Sequence, residues 1–172
     1  MDKNKWLRKL LSTQEQYNFP DGYKLLYCPW RTIQSAEIAF ISLNPMEPVI
    51  GEGFKVISDE RGNSYEVEKY TTKSPLTHQF LLLCEFLSTS PDAVLTGTIC
   101  PFRSARWGDN KFLDGSAFTN ELKKVGLAVG EEFWVEALRD VKLIIVISKV
   151  TENSITKILN ASLDTETDSG WG

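Results

Sequence analysis

The sequence predicts an α/β fold, a three-layer sandwich around a central, mostly parallel sheet, and three observations carry that expectation. The run 37–43 is almost continuously apolar, the pattern of a strand covered on both faces, and 93–99 and 141–148 read as two further strands, the last the most β-branched stretch of the chain. Stretches with helical spacing separate and follow them, so the order strand–helix repeats three times. The 172 residues make one ordinary domain, in which a folded chain buries roughly 70% of the surface its unfolded form exposes. No repeat or linker divides residues 1–172, and no disulfide or metal staple is required.

Leu7, Leu10 and Leu11 share a helical face, so the chain opens with a short amphipathic helix that ends before the turn signal Asn18-Phe19-Pro20-Asp21-Gly22. The first strong strand, 37–43, is stopped by Asn44-Pro45. Residues 45–73 are rich in Gly, Pro, Glu and Ser and are too long for an ordinary strand–helix connection, which marks them as functional or mobile. Ser74 at the N-cap and Pro75 at the first helical position start a helix whose apolar face is Leu76, Phe80, Leu83, Cys84 and Leu87. The strand 93–99 then leads into the loop 100–108. Two helices, 116–125 and 131–138, are expected to break at Gly126 and Gly130. The most β-branched stretch, 141–148, is the third strand, and Thr151 caps a last helix, 151–159.

Composition narrows the function. Hydrophobic residues at 42% and charged residues at 24% exclude a disordered or low-complexity chain. A net charge of -4 leaves no whole-molecule basic field for nucleic acid or an anionic membrane, so such binding needs a local patch. Three scattered cysteines without a C-x-x-C argue against a disulfide framework, a four-cysteine zinc site or a four-cysteine iron–sulfur cluster. A reducing cytoplasm is the expected compartment. No run approaches the ~20 apolar residues of a membrane span, and the N-terminus has no apolar signal region.

Parallel α/β sheets place ligands at the carboxyl ends of their strands, here Asn44-Pro45, residues 98–106, and Ser148-Lys149. No G-x-G-x-x-G, P-loop, G-x-S-x-G or paired histidine is present, and the single histidine, His78, reads as a surface or packing residue. Three strand-end segments do form a pattern. Ile41-Ser42-Leu43-Asn44-Pro45-Met46 follows the first strand, Thr98-Ile99-Cys100-Pro101-Phe102-Arg103 ends the second, and residues 144–149 end the third on Ser148-Lys149. In type and order they resemble the uracil-DNA glycosylase superfamily, in particular its mismatch-specific and single-strand-selective branches. There the loops run Gly-x-Asn-Pro-Gly, Asn-x-Cys-Pro-Phe-Arg and Gly-Lys. The present chain replaces both glycines of the first loop, has Thr98 for the asparagine and has Ser148 for the last glycine. The family's final His-Pro-Ser or Asn-Pro-Ser loop would lie beyond residues 151–159 and one more strand. Trp171-Gly172 resembles the start of that segment, so a truncated frame and a true variant both stay open.

The resemblance implies hydrolysis of the N-glycosidic bond of uracil or another damaged base in DNA, by a monomer that uses no metal and no organic cofactor. Excision requires a flipped nucleotide, a stacking ring, hydrogen-bond donors for the departing base and a water beside the sugar. Asn44 is the residue to orient that water, Pro45 stiffens its loop, and Leu43 and Pro45 are expected beside it as substrate-binding residues. Phe54 follows Asn44 by about the family's interval to its stacking ring, and reads as that platform or as a core ring. Thr98 would face the base, although a hydroxyl cannot offer a planar donor and acceptor together. Arg103, Arg106 and Lys111, interleaved with Phe102, Trp107 and Phe112, form a basic-aromatic cluster suited to a DNA strand, or a solvated loop with aromatic feet in the core. Glu47 and Glu52 are the nearest carboxylates, each a general base or a solvated loop charge. A noncatalytic nucleic-acid or nucleotide-binding module on the same scaffold is one competing reading, and a small-molecule enzyme on an unrelated α/β sheet, expected if the three strand-end loops do not converge, is another.

Overall fold

The computed structural model describes residues 1–46, 52–71, 74–105, 107 and 118–162. In chain order these form α1 (Lys3–Tyr17), β1 (Tyr23–Lys24), β2 (Ile38–Ser42), β3 (Lys55–Val56), α2 (Ser64–Val67), α3 (Pro75–Phe86), β4 (Val94–Thr98), α4 (Asn120–Ala137), β5 (Leu143–Val146) and α5 (Lys149–Leu159). The architecture is mixed α/β with small parallel sheets. β2 is the centre of a three-stranded sheet ordered β4-β2-β5, and β1 pairs with β3 in a second sheet of two strands. Among the described residues no helix is long and apolar enough to cross a membrane.

The unbroken apolarity of residues 37–43 has its reason in the packing of β2. Phe40 enters a cluster with Tyr65, Phe80, Cys84 and Val94, while Ala39 and Ile41 enter a larger one with Trp6, Leu10, Leu95, Phe133, Trp134 and Ile155. Successive side chains therefore meet apolar partners on opposite faces, and a polar residue on either face would be buried. Local signals start the helices. The Asp2 carboxylate accepts from the Asn4 amide at 2.8 Å to begin α1, and Ser74-Pro75 begins α3.

Residues 120–137 form one helix, not the two expected. Glycine inside a helix costs about 1 kcal/mol relative to alanine, yet α4 runs unbroken through Gly126 and Gly130 because both face the end of β4. A Cβ at position 130 would lie 1.5 Å from the Ile99 carbonyl oxygen, and one at 126 would lie 2.4 Å from Cys100 Sγ. The Trp134 indole N–H closes the contact with a 2.9 Å hydrogen bond to the Thr98 carbonyl. The third strand is also shorter than the run 141–148, and α5 begins earlier than Thr151. Its cap is Ser148, whose hydroxyl accepts from the Thr151 amide at 3.3 Å.

The register places the strand ends together. Ser42 lies opposite Thr98 and Ile41 opposite Val146, all in parallel pairs, so Asn44, Thr98 and Ser148 occupy the same edge of the sheet. Residues 23–27 run along the outer side of β4: the Thr98 amide donates to Leu25 O at 3.1 Å, and the Tyr27 amide to Thr96 O at 2.8 Å. This segment covers an otherwise open sheet edge and carries Lys24 and Tyr27 to the carboxyl end.

Candidate active site

A pocket of about 410 Å³ opens at that edge. Leu43, Asn44 and Ser148 line it from the strand ends, Lys24 and Tyr27 from the covering segment, and Tyr65, Glu68 and Thr77 from α2, the residue following it and α3. Its floor holds Ser42, whose hydroxyl reaches the Gly97 carbonyl at 3.4 Å and meets the Tyr65 phenol, itself raised above its ordinary range by burial.

Asn44 is held rigidly. Its Nδ2 donates to Ser104 O at 3.0 Å and to Pro45 O at 3.2 Å. Both partners are carbonyl oxygens, which fixes the amide orientation and leaves Oδ1 as the acceptor atom. The Ser104 and Cys100 amides donate to Pro45 O and Leu43 O at 3.2 and 2.8 Å, tying the first strand-end loop to the second.

Part of this wall is a charge cluster. The Lys24 ammonium bonds Glu52 Oε1 and stands 3.7 Å from Glu68 Oε1, with its charge over the Tyr27 ring at 4.4 Å. Arg103 donates to Glu52 Oε2 at 2.8 Å, to Met46 O at 2.8 Å and to Gly53 O at 3.3 Å. Asp59 takes Arg61 through Nε at 2.9 Å and a terminal nitrogen at 2.8 Å, and the Ser64 hydroxyl at 2.8 Å. Burial alone would raise the Asp59 carboxyl, but the hydrogen bonds from Arg61 and Ser64 outweigh it and hold the group below its usual range.

Glu52, Asp59 and Glu68 bring carboxylate oxygens within 4.8 Å of one another, a spacing that demands positive charge. Lys24, Arg61 and Arg103 supply it, three cations for three carboxylates. Glu68 receives the least. Its side chain is 14% exposed, and its Oε1 is buried with no hydrogen-bond partner among the described residues. Burial, with the charges of Glu52 and Asp59, raises its pKa above the ordinary carboxyl range despite Lys24 and Arg61.

The structure corrects several expected roles. Arg103 is not a surface cation for DNA: it is 1% exposed and committed to Glu52 and backbone carbonyls, because an unpaired guanidinium could not be buried there. The rings beside it point inward, Phe102 stacking on Phe19 at 3.8 Å and Trp107 meeting Phe118 edge-on at 5.9 Å. Thr98 is fully buried and donates its hydroxyl to Lys24 O at 3.0 Å, so it does not line the pocket. Phe54 is 63% exposed and outside the pocket wall, neither platform nor core ring, while its carbonyl accepts the Tyr23 amide at 2.8 Å. Pro45 shapes the loop through its carbonyl rather than touching the cavity. Glu52 is a buried ion-pair partner, not a solvated charge. His78 is exposed on α3. Arg106, Lys111 and Glu47 lie outside the described residues.

Sequence reasoning missed Lys24, Tyr27, Tyr65 and Glu68. One signal was present: Lys24 interrupts the apolar run 23–28, and a lysine buried in such a run requires a partner. Nothing in the sequence marks Glu68 over its neighbour Glu66. No protein-family model matches this chain, and no curated protein and no solved structure matches it.

Proposed function

We propose that this chain is a DNA glycosylase-like protein on a three-layer scaffold of the uracil-DNA glycosylase type, hydrolysing the N-glycosidic bond of uracil or another damaged base taken into the strand-edge pocket. The observation that carries the reading is Asn44, an amide locked by two backbone carbonyls in the wall of a pocket at the carboxyl edge of a parallel sheet. Its Oδ1 would accept from the water that attacks the anomeric carbon. At about 410 Å³ the pocket lies in the roughly 300–1,000 Å³ range of small-molecule sites. Tyr27 and Tyr65 offer the flat apolar surface against which a base stacks, in place of Phe54.

The test is release of free base from single-stranded oligonucleotides carrying uracil, hypoxanthine or xanthine. Asn44→Ala is expected to slow release by ~10²–10³-fold, the usual cost of removing one preorganised polar contact. Equal rates in wild type and variant would remove Asn44 from the chemistry. A noncatalytic nucleotide-binding module is the second reading. It is favoured by the burial of Thr98, whose hydroxyl is spent on Lys24 O rather than on reading a base edge. Tight binding of the same oligonucleotides with no base released would establish it over the first.

A further inference from the structure

We propose that Glu68 is the general acid that protonates the departing base, an inference that rests on the pocket being an N-glycosidic site. Glu68 lines the same pocket as Asn44. Within the charge cluster Glu52 is bound by Lys24 and Arg103, and Asp59 by Arg61 and Ser64, whereas Glu68 Oε1 is buried with no hydrogen-bond partner among the described residues. The nearest cations stand off, Lys24 at 3.7 Å and Arg61 at 3.9 Å. A buried carboxyl that neither cation contacts closely is best satisfied by holding its own proton, and the part of the Glu68 side chain that stays exposed, 14%, lies in the pocket wall, where a protonated carboxyl can donate.

The groups that face it set its titration. Burial, with Glu52 and Asp59, favours the protonated form and outweighs Lys24 and Arg61, which favour the anion, so the carboxyl titrates above its ordinary value. Glu68 in turn bears on the phenols of Tyr27 and Tyr65. In the reaction the bond between the anomeric carbon and the base nitrogen breaks, and its electron pair goes to the base. The Glu68 proton passes to the base at the same time, leaving a carboxylate. Water held at Asn44 adds its oxygen to the anomeric carbon and gives up one proton, which returns to the Glu68 carboxylate directly or through solvent. Products are the neutral base and the sugar hemiacetal, and the enzyme is restored.

The experiment uses the full chain with single-stranded oligonucleotides carrying uracil, 5-fluorouracil or hypoxanthine, and compares wild type, Glu68→Gln and Glu68→Asp over a pH series. If Glu68 donates the proton, Glu68→Gln should lose ~10²–10⁴-fold on uracil. It should lose far less on 5-fluorouracil, whose anion leaves without help. Wild type should show an alkaline fall of kcat/KM, which should vanish in Glu68→Gln and persist in Glu68→Asp, which keeps an acid. An equal loss on uracil and 5-fluorouracil, or an unchanged alkaline limb in Glu68→Gln, would overturn the assignment while leaving the hydrolase reading intact. Wild type that releases none of the three bases would overturn the hydrolase reading, and the assignment with it. A melting temperature for Glu68→Gln at or above that of wild type at neutral pH separates these outcomes from misfolding.

Discussion

Replacing Gly130 by alanine tests the packing of α4 against the end of β4. In an isolated helix the change should stabilise by about 1 kcal/mol. Here the new Cβ would sit 1.5 Å from the Ile99 carbonyl oxygen, whereas real Cβ contacts essentially never fall below 3.0 Å, so α4 must move away from β4 by about 1.5 Å. Such a shift loosens the buried Phe133 and Trp134 and stretches the 2.9 Å bond from the Trp134 indole to Thr98 O. Overpacking costs about 1–3 kcal/mol, and a buried donor left unpaired costs a further ~1–3 kcal/mol. Set against the propensity gain, the net loss is about 3 kcal/mol, or roughly 6–12 °C in melting temperature for a chain of this size. Thermal unfolding followed by circular dichroism reads it directly. The reasoning also predicts a chemical difference between the two glycines. At position 126 the obstacle is Cys100 Sγ, 2.4 Å from the added carbon, so Cys100→Ala should restore part of the stability lost in Gly126→Ala. It should do nothing for Gly130→Ala, where the obstacle is backbone. A Gly130→Ala protein that melts at or above wild type would refute the account of α4, as would rescue of both variants by Cys100→Ala.

Two further tests address the site. Ser148 holds φ at +94° while capping α5, so Ser148→Gly should relieve a strain of ~1–3 kcal/mol at a cap cost of a few tenths, raising the melting temperature. Ser148→Ala keeps the strain and loses the cap, lowering it, and shifts of the same sign in the two variants would contradict this. The two perturbed carboxyls should act oppositely on the pH dependence of stability. Asp59, lowered in the fold, stabilises above its ordinary pKa and loses that contribution as pH falls through the depressed value, so Asp59→Asn should flatten the acid side of a melting-temperature profile. Glu68, raised in the fold, stabilises only below its ordinary pKa and loses that contribution as pH rises through the elevated value, so Glu68→Gln should gain on wild type toward neutral pH. Parallel profiles for wild type and either variant would show that the carboxyl is not perturbed.

The separation between exposed and buried charge organises this site. A cation at the surface serves a phosphate; one buried against a carboxylate serves the fold, because breaking such a pair leaves a charge in a poorly solvating interior at a cost of about 3–5 kcal/mol. Arg103 is of the second kind. Its guanidinium joins the loop after β4 to Glu52, Met46 and Gly53, and so positions the segment that forms one side of the pocket.

The three strands of the larger sheet, their parallel sense and the edge where they end were legible in the sequence by itself, because those features follow from local patterning; the short pair β1 and β3 was not. Unbroken apolar runs must be covered on both faces, helical crossovers make neighbouring strands parallel, and Asn44 and Ser148 then fall at the carboxyl edge wherever the helices pack. The start of α3 was legible for the same reason, since Ser74-Pro75 acts on its own turn. Tertiary structure decided the rest. Whether Gly126 and Gly130 break a helix or admit a neighbour depends on what stands opposite them, and that is the end of a strand about thirty residues earlier in the chain. Whether Arg103 meets DNA or Glu52 depends on a partner separated from it by 51 positions. Glu68 is desolvated beside other carboxylates, whereas the Glu66 side chain is the more exposed and pairs with Lys69. Burial and electrostatics are properties of distance in space, and the chain brings those distances into being only when it closes on itself.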